Sequence, residues 1–159
     1  MESPSKLISK ILFFFGILVS LQANALQIGD KAPNFIADTT LGELDFYDWS
    51  KSQWVILLSH PGDFTPVCTT ELAEAAKLQP LLKKKNAKIL TLSEDSVEDH
   101  LEWVDVINNY KNKTTTTDDL KNLLLGIEGD TDVNFPIISD PDLKVATLYG
   151  MYHPKALPN

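Results

Sequence analysis

The chain has 159 residues, 43% of them hydrophobic, a formal net charge of -8, one cysteine and no arginine. A single thiol excludes a miniprotein stapled by internal disulfides, and 22 carboxylates against 14 lysines argue against a nucleic-acid binder. The ordinary hydrophobic fraction excludes a disordered chain, and the length suits one domain.

Met1 to Ala25 has the three parts of a secretory leader: Lys6 and Lys10, the apolar run Ile11 to Leu21, and the small-residue site Ala23-Asn24-Ala25. The apolar run is about half of the roughly 20 residues that span a bilayer, so cleavage is preferred to an anchor. Residues 1–25 are therefore read as a signal peptide and 26–159 as the domain. The expected location is the secretory lumen or the outside of the cell, with cytosol as the runner-up. The sequon Asn112-Lys113-Thr114 matters only on the secretory route.

Leu44 to Asp48 is a short polar-apolar alternation that ends before a turn or single helical turn at Trp49 to Ser52. Trp54 to Ser59 is a continuous apolar run, the pattern of a strand covered on both faces. Thr69 to Lys85, with Leu72, Ala75, Ala76, Leu78 and Leu82 between charges, predicts an amphipathic helix that Pro80 should kink or break. Ala87 to Leu92 predicts a second buried strand. Ser96-Val97-Glu98-Asp99 resembles a capping box that opens a helix through about Tyr110. Lys111 to Val133 reads as a surface excursion. Phe135 to Ser139 predicts a third strand, followed by a turn at Asp140-Pro141-Asp142 and a helix from Leu143 to about Gly150. Strand alternating with helix means a parallel sheet with crossovers. No strand or helix is expected after Met151, which would leave a sheet edge unpaired.

The chemistry concentrates in Ser59-His60-Pro61-Gly62-Asp63-Phe64-Thr65-Pro66-Val67-Cys68-Thr69-Thr70-Glu71. Cys68 lies where a loop turns into a helix, and unpaired amides with the helix dipole at that end favour a thiolate. Thr65, three residues earlier, can donate a hydroxyl to the sulfur or to a bound oxygen. Pro61 and Pro66 stiffen the loop and remove amide donors. These features describe a pocket for a small polar oxidant.

The spacing of Pro61, Thr65 and Cys68 is that of the peroxiredoxin signature Pro-x-x-x-Thr-x-x-Cys, and the surrounding residues are similar to the one-cysteine, peroxiredoxin-6-like branch of that family. The resemblance continues through Asp95 to Trp103, Phe135 to Asp140 and Leu148 to Met151, and includes Ala32-Pro33-Asn34-Phe35 with Thr39, Thr40 and Gly42. It implies an α/β, thioredoxin-like fold with a central mixed sheet flanked by helices, here without its last strands and helix. It also implies a thiol-dependent peroxidase acting on hydrogen peroxide and organic hydroperoxides. On that reading Cys68 attacks the peroxide, Thr65 hydrogen-bonds it, Pro61 shields the sulfur, His60 tunes the site and Glu71 helps order the network. No cofactor is implied. With no second cysteine, an external thiol such as glutathione or a thioredoxin-like protein must regenerate Cys68. A homodimer is a further expectation from the family.

The family also places an arginine opposite the cysteine, from a strand beyond the Tyr149-Gly150-Met151 segment, and this sequence has no arginine to fill that place. Lysine does not reproduce the guanidinium fork, so activity lowered by roughly 10²–10³ is expected. The alternative is a weak thioredoxin-fold remnant serving as a redox sensor or binding module, or a sequence fragment. The phospholipase activity of some members is not expected, because Gln53 and Tyr47 occupy the positions of its serine and histidine. Taken alone, Cys68 could be a buried structural thiol and His60 a satisfied core histidine. His100 reads as a solvated or packing residue, and Lys83 to Lys85 as a solvated helix end. Three histidines and one thiol so widely spaced give no metal site.

Overall fold

The computed structural model describes residues 26–113 and 131–151, the side chains of residues 112 and 113 excepted. The segment read as a leader, most of the segment read as an excursion and the residues after Met151 lie outside the described residues. The elements are β1 (Ile36–Ala37), β2 (Leu44–Asp45), α1 (Phe46–Ser50), β3 (Trp54–Ser59), α2 (Pro66–Lys84), β4 (Ala87–Ser93), α3 (Val97–Lys113), β5 (Ile137–Ser139) and α4 (Lys144–Leu148).

The expected crossovers are present. β3, β4 and β5 form a parallel sheet in that order, with Ile56 opposite Ile89 and Leu92 opposite Ile138. The antiparallel part is the β1–β2 pair and a single bridge from Thr39 to Ile138. β4 is the middle strand, and its alternate residues feed two cores. Ile89 joins Ile137, Leu72, Ala73, Ala76, Trp103 and Ile107 beneath α2 and α3. Leu90 and Leu92 point the other way, to Ile138, Phe35, Leu44, Phe46 and Val145. Burial of Leu90 and Leu92 on one face and Ile89 on the other makes β4 the axis of three layers.

β3 departs from the sequence reading. Among the described residues it stands at the edge of the sheet, and Trp54, Ile56 and Leu58 on one face are exposed, Trp54 by 76%. Val55 and Leu57 pack into the aromatic core on the other face. The reason is lateral: α2 lies over β4 and α3 over β5, so neither helix covers β3. Apolarity alone reports that a strand can be buried, not that a neighbour reaches it.

Pro80 does not end α2, which continues through it to Lys84. A proline there removes the amide that would have bonded the Ala76 carbonyl. The Gln79 side-chain Nε2 donates to that carbonyl instead, at 3.1 Å, and also to the carbonyl of Asp132. At the start of α3 the Ser96 hydroxyl accepts from the Asp99 amide (3.1 Å), the N-cap that the sequence suggested, and donates to the Asp99 carboxylate (2.7 Å). Asp140 is buried and uses both carboxylate oxygens to accept from the amides of Val145 and Ala146, fixing α4 against β5.

α4 delivers Tyr149 to the aromatic cluster of Phe35 and Phe46, edge-on to both rings, with its hydroxyl donating to the Pro33 carbonyl at 2.8 Å. Burial, with a smaller push from Tyr47, moves its phenol up to about 12. The unfolded value is about 10, so the neutral phenol stabilises the fold fully below pH 10. That contribution is lost as pH rises from 10 towards 12. Urea unfolding measured from pH 9 to 12 should show this alkaline decline, and Tyr149→Phe should flatten it; an equally steep decline in the variant would show that Tyr149 is not its source.

Candidate active site

The residues singled out in the sequence meet at the carboxyl ends of the parallel strands, where an α/β sheet places its functional loops. β3 ends at Ser59, and the His60 amide extends its ladder to the Leu92 carbonyl. The chain then crosses the top of the sheet as residues 60–65. Phe64 takes a left-handed conformation (φ 56°), uncommon for a non-glycine residue, and so turns the chain into α2. Thr65 is the N-cap and Pro66 the first helical residue, a position where its missing amide costs nothing.

Cys68 thus occupies the third helical position. Its residue is 4% exposed, within the core beneath α2 and α3. The first intrahelical amide to find a carbonyl is that of Thr69, on Thr65. The amides of Val67 and Cys68 precede it and have no acceptor among the described residues, which leaves the positive end of the helix around the sulfur. Thr65 caps with its backbone, not its side chain: its hydroxyl donates to the Gly62 carbonyl at 3.3 Å. Thr69 anchors the next turn, donating to the Thr65 carbonyl and accepting from the Trp103 indole at 3.0 Å. Pro61 is exposed at the loop surface. Glu71 is also exposed and has no side-chain partner among the described residues, so the structure does not bring it into the network expected of it.

A carboxylate that the motif leaves unspecified holds the loop. Asp63 has a side chain only 1% exposed and accepts from two histidines: His60 Nε2 on Oδ1 at 2.9 Å and His100 Nδ1 on Oδ2 at 2.5 Å. His100 is fully buried on α3, and its Nε2 donates to the Ile138 carbonyl on β5 at 3.1 Å. Burial pushes the Asp63 carboxyl up, but the hydrogen bonds from His100 and His60, with their charges, outweigh it and hold the group below its ordinary value. The Asp63 amide donates to Asp95, which Ser93 also engages at the end of β4. His60, Asp63 and Asp95 place possible ligand atoms within 4.8 Å of one another. Both oxygens of Asp63 are already taken by histidines, which accounts for that proximity without an ion.

His60 is buried against Trp103, the ring centroids 4.9 Å apart, and its Nδ1 has no hydrogen-bond partner among the described residues. Trp103 therefore touches both the histidine and, through Thr69, the turn that carries Cys68. A separate cleft of about 670 Å³, lined by Trp49, Gln53, Lys83, Lys88 and Phe135 among others, opens at the opposite ends of the strands and takes no residue from this loop. The sequence reading missed Asp63 and misjudged His100, which is neither solvated nor a plain packing residue. The one available signal was a histidine in the first turn of a helix that follows a buried strand, since such a helix starts beside the carboxyl ends of the sheet.

An α/β sheet that carries a lone buried cysteine at the head of its first crossover helix, behind a Pro-x-x-x-Thr loop, defines a thioredoxin-like peroxiredoxin site. A model of the AhpC/TSA family matches residues 28–159, and the chain belongs to that family. It is 46% identical over 134 residues to the 1-Cys peroxiredoxin of Dictyostelium discoideum, a match covering 84% of this chain and 48% of the relative. It is 48% identical over 129 residues to mouse peroxiredoxin-6, covering 81% of this chain and 51% of the relative. Among solved structures, a yeast mitochondrial 1-Cys peroxiredoxin superposes with a TM-score of 0.63 at 42% identity, covering 79% of this chain and 51% of its own. Peroxiredoxin 6 of Arenicola marina superposes with a TM-score of 0.64 at 38% identity, covering 83% and 53%. The chain spans about half the length of the curated relatives it matches.

Because Asp63 is held low, its contribution to stability is complete above the ordinary carboxylate value of about pH 4 and is lost as pH falls through its folded value. Urea unfolding followed downward from pH 6 should show stability falling below pH 4, with a shallower fall for Asp63→Asn. Parallel curves for the two proteins would dissociate Asp63 from the acid limb.

Proposed function

We propose that this chain carries the catalytic half of a thiol-dependent peroxidase that reduces hydrogen peroxide and organic hydroperoxides at Cys68. The observation that carries the proposal is the placement of the sole cysteine: third in the first turn of α2, next to two unpaired amides, inside the family's Pro61, Thr65, Cys68 frame. In the reaction the Cys68 thiolate attacks one peroxide oxygen, the O–O bond breaks, and the other oxygen leaves as an alcohol or water after taking a proton. The sulfur is oxidised to a sulfenic acid. An external thiol then displaces water from the sulfenic acid to form a mixed disulfide, and a second thiol releases Cys68 and carries away the disulfide. The yeast relative is described as resolved through glutathione and thioredoxin systems, which supports a thiol of that class here.

In this reading Thr65 and the amides of α2 orient the peroxide, Pro61 limits water at the sulfur, and His60 supplies a buried imidazole beside the loop. Glu71, exposed as it is, acts on the helix surface and not on the sulfur. The leader-like Met1 to Ala25 segment supports export as the location, and the family match beginning at residue 28 is consistent with a leader ahead of the domain. A homodimer would be consistent with the apolar, uncovered face of β3.

Two measurements test the proposal. In a peroxide-consumption assay with glutathione and thioredoxin systems offered separately, Cys68→Ser should abolish turnover, and turnover that survives it would refute the assignment. Assayed beside the Dictyostelium relative, this arginine-free chain should oxidise roughly 10²–10³ more slowly, the cost of one missing donor to the developing charge. Equal rates would show that the helix amides suffice. A Cys68 that reacts with hydrogen peroxide no faster than free cysteine would instead favour a sensor or binding role.

A further inference from the structure

Trp103 reaches the active loop from α3 at three places. Its ring lies 4.9 Å from the His60 ring at the end of β3 and 6.4 Å from the ring of Phe64, whose left-handed backbone turns the chain into α2. Its indole Nε1 lies 3.0 Å from Oγ1 of Thr69, the residue after Cys68. An indole nitrogen only donates, so Thr69 Oγ1 is the acceptor of that bond. The single hydroxyl hydrogen of Thr69 is then directed to the Thr65 carbonyl, 2.8 Å away, which also accepts the Thr69 amide at 3.0 Å. The result is a one-way relay, indole N–H to hydroxyl to carbonyl, that runs from α3 across the first turn of α2 to its N-cap. Trp103 is fully buried and Thr69 is buried with it, so water does not compete for the indole hydrogen, and bonds in such a chain strengthen one another.

We propose that Trp103 is a positioning residue for the reaction at Cys68: through Thr69 its indole N–H fixes the turn that begins at the Thr65 carbonyl, and so sets where the sulfur and the amides of Val67 and Cys68 point. This rests on the peroxidase reading for its chemistry. The first turn of a helix has few bonds of its own to hold it. Pro66 has no amide, and the amides of Val67 and Cys68 have no acceptor among the described residues, so Thr69 is where α2 is first anchored. It anchors twice on one oxygen, by its amide and by its hydroxyl, and the hydroxyl is held in turn by a ring that packs in the core with Leu72 and Ile107. The relay is tertiary, since Trp103 lies 34 residues along the chain from Thr69. Its effect on rate is a matter of geometry, because displacing a reacting group by about 1 Å can cost roughly 10²-fold.

The test compares the reduced full chain with variants at the two ends of the bond. In the wild type the Trp103 indole N–H should exchange slowly with solvent deuterium, and its proton resonance should move in Thr69→Val, which keeps the shape of the side chain and removes the oxygen. Fast exchange, or a resonance indifferent to Thr69→Val, would overturn the relay whatever the chain catalyses. Oxidation of Cys68 by hydrogen peroxide, followed by stopped flow, should slow roughly 10- to 100-fold in Thr69→Val and in Trp103→Phe, whereas Thr69→Ser, which retains the hydroxyl, should react at nearly the wild-type rate. The double variant should be no slower than the slower single one, because both changes remove the same bond. An unchanged rate in Thr69→Val, losses that multiply in the double variant, or a Thr69→Ser protein as slow as Thr69→Val would each refute the positioning role. Replacing Trp103 by benzothienylalanine keeps both fused rings and exchanges the N–H for sulfur, so the rate comparison stands even if the other variants fail to fold; a wild-type rate there refutes the proposal. A slowly exchanging indole in a chain whose Cys68 reacts no faster than free cysteine would sink the peroxidase reading, and the role in the reaction with it, while the hydrogen-bond relay stands.

Discussion

One buried carboxylate ties together pieces of chain that fold separately. Asp63 receives His60 at the end of β3 and His100 on α3, which in turn holds the Ile138 carbonyl on β5, while the Asp63 amide reaches Asp95 beyond β4. Each strand of the parallel sheet thus has its carboxyl end connected to the same short loop. A buried carboxylate is costly unless its oxygens are satisfied by charged or strongly polarised donors, and two histidines from different elements meet that requirement only when the sheet and α3 are both in place.

The helix start is the second constraint. Thr65 ends the extended chain, Pro66 occupies the first helical position without wasting a donor, and the two amides that follow have no acceptor among the described residues. Because Cys68 sits at the third position, its sulfur shares the end of the helix with those donors. Thr69 then locks the turn by bonding both the Thr65 carbonyl and the Trp103 indole. Trp103 is fully buried and contacts the His60 ring, so the turn with the nucleophile and the histidine are braced by one side chain from α3. The same helix supplies His100, three residues earlier and therefore on the same face.

This division of labour explains the uneven exposure of the sheet. β4 is covered on both faces because α2 and the α4 cluster meet it from opposite sides, whereas β3 has only its Val55 and Leu57 face covered. Trp54, Ile56 and Leu58 leave an apolar stripe on the edge strand that feeds the active loop. The curated relatives are about twice as long, and the described residues hold both the hydrogen-bonded cluster around Asp63 and the helix start that carries Cys68.

The sequence by itself determined the alternation of strand and helix, the boundaries of the crossover helices to within a few residues, and the Pro61, Thr65, Cys68 frame, because each depends on local periodicity, caps and spacing. Ser96 capping α3 and the turn before α4 were legible for the same reason. The continuity of α2 through Pro80 was not, since it depends on Gln79 turning back to the orphaned Ala76 carbonyl. The exposure of β3 was not, since it depends on where α2 and α3 lie across the sheet. Nor were the roles of Asp63 and His100, 37 residues apart, whose pairing exists only after a parallel crossover brings the start of α3 beside the end of β3. Local propensity chooses elements and reactive residues; which side chains meet around them is decided by packing that only the folded chain supplies.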